Sequence, residues 1–242
     1  MEKFYFIDES GDADFFGKRE KKLWEIDGWN PLLIMGLLET DNRKRLRKDV
    51  RKFHEKLLKD RYYEGIHSLS KEQHFFHARS DHPEVRAAFF QFLRNRDDFN
   101  CFFVIRYKDP QNFITQFEKS ATKFYFYVIK QLIDLPEFKQ SDNHQFYLSR
   151  RNKTTNDRFN QVLEDALCKE MYEERLSYQA EIVKSGEYPE LWIIDYMLWA
   201  VQRCLLKKEK RFLSALADRV SFIQDNEGGE FKDALKDYNH DF

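Results

Sequence analysis

Glycine and proline are scarce in this chain, with 8 and 5 among 242 residues. No glycine falls between Gly65 and Gly186, which excludes a low-complexity middle and predicts regular elements there. Cysteine is scarcer still. Cys101, Cys168 and Cys204 lie far apart without CxxC spacing. That argues against a disulfide framework or a cysteine zinc site and suits a reducing, cytoplasmic setting. No apolar run approaches the ~20 residues of a membrane span. The N-terminus lacks a signal-peptide pattern, because a strand and an acidic turn begin at once. An excess of one charge is also missing: the net charge is −1. No global field then favours nucleic acid or a membrane, and a binding surface must come from local segregation of charge.

What the chain has in quantity is rings. Aromatics make up 17% of it, with 24 Phe, inside a hydrophobic fraction of 42%, so the core is built largely of aromatic side chains. The length fits one large domain or two small ones. With no internal repeat and no linker, a single domain over residues 1–242 is expected, with about 209–242 as a C-terminal extension.

The stretch Lys3–Asp12, KFYFIDESGD, carries the sharpest signal. Phe4, Tyr5, Phe6 and Ile7 are strand formers, and the chain turns acidic at Asp8 and Glu9 before the turn-forming Ser10, Gly11 and Asp12. Strand alternation puts Phe4, Phe6 and Asp8 on one face and Tyr5, Ile7 and Glu9 on the other. A carboxylate ending a buried apolar run needs compensation, and a cation is one source of it; a turn-capping role for Asp8 is the plainer alternative. A long polar loop, Glu9–Asn30, follows, with Trp24 and Trp29 in it. Pro31–Glu39 reads as a second buried strand, although a continuous apolar run does not by itself exclude a helix.

Thr40–Tyr63 reads as a helix with Leu46, Val50, Phe53 and Leu57 on one face. Its other faces are strongly basic, which suits either phosphate contact or a solvated helix with i,i+4 pairs. Gln73–Ala78 is read as a short strand. His74 and His77 then point to opposite faces, a poor zinc pair despite Asp81 and His82 nearby. Further helices are expected over Pro83–Asn95, after Asp109-Pro110 through the stripe Phe113, Phe117, Ala121, Phe124, Val128 and Leu132, over about Thr154–Glu170, and over about Pro189–Lys208. Phe99–Tyr107, Gln145–Ser149, Arg175–Val183 and Val220–Gln224 read as strands. In the helix Pro189–Lys208, Asp195 has Leu191, Trp192, Leu198 and Trp199 as its helical neighbours. An acid in such surroundings requires a cation, a hydrogen-bond network or a proton.

Three segments, YFIDESGD, HFFHA and LWIIDYMLWAVQR, stand in the order seen in the bacterial domain-of-unknown-function 3800 family, which this chain resembles over most of its length. The resemblance implies an α/β, ribonuclease H-like fold: a mixed β-sheet flanked by α-helices, with metal-binding acids on the first strand and on a late helix. Asp8 and Asp195 match the first and last of those acids, as catalytic residues and as ligands of Mg²⁺ or Mn²⁺. Such a site uses three or four carboxylates, and an acid is expected at the end of a central strand. Here that strand ends in Ser149, a poor ligand for a hard cation. Glu9, Asp12 and Glu181 are the candidates for further ligands, although Glu9 points away from Asp8 in a regular strand. Ser10, His77 and Ser149 are expected beside the site.

The expected function is therefore a metal-dependent nuclease, or a related phosphoryl-transfer hydrolase, acting on DNA or RNA. Arg43, Arg47 and Arg51 on the basic helix, with Arg150, Arg151 and Lys153, would bind the backbone. The alternatives are a catalytically eroded nucleic-acid- or protein-binding module of the same fold, and an interaction protein whose aromatic loop Phe15–Trp29 docks a partner.

Overall fold

Alternating apolar residues build one sheet that is covered on both faces. The computed structural model describes residues 1–70, 74–138, 142–151, 155–167 and 177–225. In chain order they form β1 (Glu2–Ser10), β2 (Leu32–Thr40), α1 (Arg43–Lys59), α2 (Pro83–Arg94), β3 (Asn100–Tyr107), α3 (Pro110–Thr115), α4 (Ala121–Ile133) and β4 (Asn143–Ser149). Then come α5 (Asn156–Leu167), β5 (Ser177–Val183), α6 (Pro189–Lys207), α7 (Arg211–Ser214) and β6 (Val220–Asp225). Cys168, Lys153 and the polar tail beyond Asp225 lie outside the described residues.

The strand order is β5-β4-β1-β2-β3-β6. β1 is central, with antiparallel β2 on one side and parallel β4 on the other. β2 and β3 are antiparallel, whereas β3–β6 and β4–β5 are parallel. Direction follows from the connections. A loop suffices to reverse β1 into β2, while every parallel pair is separated by helices. β2 resolves the strand-or-helix ambiguity of its apolar run: Ile34 and Leu38 face one core, Leu33, Met35 and Leu37 the other. A strand covered on both faces has no polar side to show.

α1, α2 and α6 pack with Phe6, Ile34 and Leu38 on one face of the sheet. α4 and α5 pack with Tyr5, Ile7 and Leu33 on the other. α6 is buried over almost its whole circumference, as expected of a helix apolar all round. Its approach to the sheet is set at Gly36. A Cβ there would lie 2.9 Å from Ile194 Cδ1 and 3.0 Å from Leu198 Cδ2, so the missing side chain lets α6 rest on the backbone of β2.

Three expectations fail for identifiable reasons. Gln73–Ala78 forms no strand among its described residues, His74–Ala78. Its backbone groups go to side chains instead: Ala78 N–H to Asp195, His77 N–H to Asp81, and the Ala78 carbonyl to Arg86. The single helix expected after Pro110 is two, α3 and α4, broken where Glu118 and Lys119 take left-handed conformations. Ser120 then caps α4 by accepting from Lys123 N–H. The loop Phe15–Trp29 is not a free docking element. Phe15 is 1% exposed and stacks on Phe113 with centroids 3.9 Å apart, and Trp29 lies 4.6 Å from the ammonium of the buried Lys108. Thr155 caps α5 by accepting the Arg158 N–H at 3.4 Å.

Gly36→Val would force α6 off the sheet. Overpacking of this kind costs about 1–3 kcal/mol, read as a lower urea midpoint with an unchanged m-value. An unchanged midpoint would show that α6 does not depend on the bare backbone at this position.

Candidate metal centre

The register of β1 decides which acids meet. Asp8 is paired with Gly36, on the face that α6 covers. Ile194 and Leu198 sit directly over Gly36, and Asp195 follows Ile194 on the same helix. Two acids 187 positions apart are thereby brought together, and the charge on Asp195 acts directly on Asp8. Ser149 ends β4 on the same face, paired with Val183, and its hydroxyl opposes the rise in the Asp8 pKa. Ser149 Oγ also lies 2.7 Å from Ser185 Oγ.

Each carboxylate has one oxygen tied to backbone. Asp8 Oδ1 accepts the Glu9 N–H at 3.0 Å, and Asp195 Oδ2 accepts the Ala78 N–H at 2.7 Å. These bonds do not offset the lost hydration. Burial pushes the Asp8 pKa well above the usual carboxylate range, and the charges of Glu9 and Asp195 push it further. Burial likewise raises Asp195, against the opposing pull of His77 and the Ala78 N–H. Asp195 opens on a cleft of 590 Å³, whose opposite wall is the segment Glu9–Asp12 directly after Asp8. Ser10 and His77 line it too, and His77 Nδ1 is buried with no hydrogen-bond partner.

The other candidate ligands are engaged elsewhere. Glu9 points to the far face, where it accepts the Tyr125 hydroxyl at 2.9 Å and lies 3.8 Å from Arg151 Nη1. Burial still raises its pKa against both. Asp12 faces Lys108 Nζ at 3.4 Å; burial lowers the Lys108 pKa and Asp12 opposes that. Glu181 is exposed on the edge strand β5, opposite Tyr147. Among the described residues, no three His, Cys, Asp or Glu side chains converge as a metal-binding group. Of the expected ligands only Asp8 and Asp195 come together, and the described residues supply no carboxylates here for a second cation.

Two of the expected phosphate binders are committed to the fold. Arg47 forms a bidentate pair with the fully buried Glu190, both bonds 2.9 Å. Arg43 adds a third contact at 3.3 Å and donates to Tyr147 OH at 2.7 Å, with its guanidinium 4.5 Å from that ring. A buried carboxylate must be paired, and Glu190 is what these arginines pair with. Arg51 is exposed and reaches the Glu187 carbonyl at 3.4 Å. Arg150 is exposed. Arg151 is held between Glu9 and Asp14, 3.8 Å from each, over the Tyr125 ring.

The sequence reading missed the support beneath Asp195. Asp81 is buried and accepts three hydrogen bonds: Tyr196 OH at 2.6 Å, His77 N–H at 2.9 Å and His74 Nε2 at 3.2 Å. With the His74 proton on Nε2, its Nδ1 accepts from His54 Nε2 at 2.8 Å, which links α1 to the same node. Burial and the neighbouring His74 hold His54 down to about 4, so it is neutral at pH 7. The Asp81 node clamps the segment that donates Ala78 N–H to Asp195. A polar acid just before Pro83 and a tyrosine beside Asp195 were the available signals, but nothing in their spacing joins them.

No family model matches the sequence, and no curated protein matches it. Among solved structures it is similar to ribonuclease H2 from Pyrococcus horikoshii OT3, with 13% identity and a TM-score of 0.49, over 86% of this chain and 76% of that one. It is also similar to a chain of the PCNA:RNase HII complex from Archaeoglobus fulgidus, with 12% identity and a TM-score of 0.47, over 97% of this chain and 87% of that one. The fold itself is α/β: a mixed six-stranded sheet flanked by helices. Among the described residues, no helix is long and apolar enough to cross a membrane.

Tyr196→Phe removes one short hydrogen bond to a buried carboxylate, which costs about 1.5–3 kcal/mol in urea unfolding. The Ala78 amide should also exchange faster with deuterium, because the clamp on its segment is loosened. Unchanged Ala78 protection would separate the Asp81 node from Asp195. A second expectation concerns acid. The His54 pKa falls from 6.5 unfolded to about 4 folded, so the stability from its neutral form is full above 6.5 and lost as pH falls toward 4. His54→Phe should flatten that part of the stability–pH curve; a curve of unchanged slope would contradict it.

Proposed function

We propose that the protein is a metal-dependent nuclease, or a related phosphoryl-transfer enzyme, acting on nucleic acid. The observation that carries this reading is the convergence of Asp8 and Asp195 from distant parts of the chain, both half-buried and with no arginine or lysine acting on either among the described residues. Glu190, by contrast, is met by two guanidiniums, and Asp81 by a hydroxyl, an amide and an imidazole. The pair Asp8–Asp195 is short of positive charge, and Mg²⁺ or Mn²⁺ would supply it. A divalent cation held there would orient and activate water and stabilise charge on the scissile phosphate. The chain's own part is to hold the ligands still: β1 and the Glu9 N–H fix Asp8, and α6 and the Ala78 N–H fix Asp195. Rigid ligands keep a site in its productive geometry.

A second reading is favoured by Ser149, which stands where a third carboxylate is wanted. In that reading the chain is an eroded nucleic-acid- or protein-binding module of the same fold. The resemblance to the domain-of-unknown-function 3800 family, the single-domain organisation and a cytoplasmic setting are compatible with both readings.

Metal-dependent melting separates them. Asp8 and Asp195 have folded-state pKa values above their unfolded ones, so the metal-free protein loses stability as pH rises through the folded values. Asp8→Asn removes one of the repelling charges and should raise the metal-free melting temperature at neutral pH. Mn²⁺ should stabilise the wild type, increasingly as pH rises through the same window, and leave Asp8→Asn unmoved. A wild type indifferent to Mn²⁺, together with a destabilised variant, would make Asp8 a structural turn residue.

A further inference from the structure

The stripe of α6 that leads away from Asp195 lines an open cleft among the described residues. Asp195, Trp199, Gln202 and Leu206 recur at intervals of four, three and four residues, and all line the 590 Å³ cleft together with Arg79 and Lys207. Asp195 and Lys207 are separated by about 18 Å along the helix axis at 1.5 Å per residue. That is about five nucleotide steps of a duplex strand at 3.4 Å each.

Charge along this stripe is not balanced within the protein. The acids on the opposite wall are already answered, Glu9 by Arg151 and Asp12 by Lys108. Arg203 is paired with Glu209, which also takes Arg211. Arg79 and Lys207 are exposed and have no ion-pair partner among the described residues. Gln202 likewise has no hydrogen-bond partner there. Lys207 sits in the last turn of α6, where a cation is favoured by the helix dipole, but that does not account for Arg79 on the far rim of the same cleft.

We propose that this stripe is the track for the sugar–phosphate backbone of a nucleic-acid strand. One phosphate lies at Asp8–Asp195, and other phosphates of the same strand are held by Arg79 and Lys207. The proposal rests on the nuclease reading above and names the surface that would hold the substrate. The basic helix α1 is the competing surface, since Lys44, Lys48, Arg51 and Lys52 line a groove of 500 Å³ there. Its first arginines are spent on Glu190 at the start of α6. Arg43 stands over Phe4, near the opposite end of β1 from Asp8, a separation of about 13 Å for four strand residues. The α6 track is continuous with the carboxylates and the α1 groove is not.

The experiment is fluorescence anisotropy of a labelled oligonucleotide, single-stranded and duplex, titrated with the whole protein at several salt concentrations in Ca²⁺. Four proteins are compared: wild type, Arg79→Gln/Lys207→Gln, Lys48→Gln/Lys52→Gln, and Asp8→Asn. Removal of two phosphate contacts should lower the slope of log K against log salt by about 1.5. The Arg79/Lys207 variant should show that drop, and the Lys48/Lys52 variant should keep the wild-type slope. The opposite pattern overturns the track while leaving nucleic acid as substrate. Binding of neither oligonucleotide by wild type overturns both the track and the nuclease reading. Asp8→Asn binding as steeply as wild type supports the track independently of the metal.

Discussion

Two carboxylates held where water cannot fully hydrate them is the constraint on which this structure turns. Burial raises the cost of ionising both Asp8 and Asp195, and the charges of Glu9 and Asp195 raise it further for Asp8. Such a pair is tolerated through protonation, a cation or hydrogen bonds, and here each acid has a single backbone N–H. The repulsion is imposed by packing. α6 rests on the bare backbone at Gly36, the register partner of Asp8, so the apolar contacts of Ile194 and Leu198 hold the acids together. Hydrophobic burial near 25 cal/mol per Å², summed along a helix buried on nearly all sides, offsets the local electrostatic cost.

The contrast with the other buried charges gives the pair its meaning. Glu190 is fully buried and receives two guanidiniums. Asp81 is buried and receives a hydroxyl, an amide and an imidazole. Both are complete within the chain and serve as joints, the first between α1 and α6, the second between α6, α1 and the segment His74–Ala78. Asp8 and Asp195 are the pair left incomplete. The two joints flank α6 on either side of Asp195, so the helix that carries the functional acid is pinned in rotation as well as in depth.

Much of this frame is legible in the sequence. β1, β2 and α6 declare themselves through apolar runs and helical spacing, and Asp8 and Asp195 stand out because each is an acid among aromatic and aliphatic neighbours. What is not legible is pairing between distant residues. Arg43 and Arg47 look like a phosphate-binding face because nothing near them in sequence is acidic enough, while their partner, Glu190, is more than 140 positions away. His74–Ala78 looks like a strand because local pattern favours it, but its backbone donors are claimed by Asp81 and Asp195, which local pattern cannot see. The break between α3 and α4 is hidden for another reason. Its stripe continues at helical spacing across Phe117, and the left-handed turn falls on Glu118 and Lys119 rather than on a glycine. The glycine-poor middle of the chain therefore looked more regular than it is.

The central claim is that Asp8 and Asp195 form one site short of positive charge. The most direct measurement is a pH titration of the side-chain carboxyl ¹³C resonances of the two residues, with and without Mg²⁺. Both should titrate above the ordinary carboxylate range in metal-free protein, with the Asp8 resonance changed by Asp195→Asn, and both should shift to lower pH when Mg²⁺ is added. Two resonances that titrate independently in the ordinary range, with or without Mg²⁺, would contradict it.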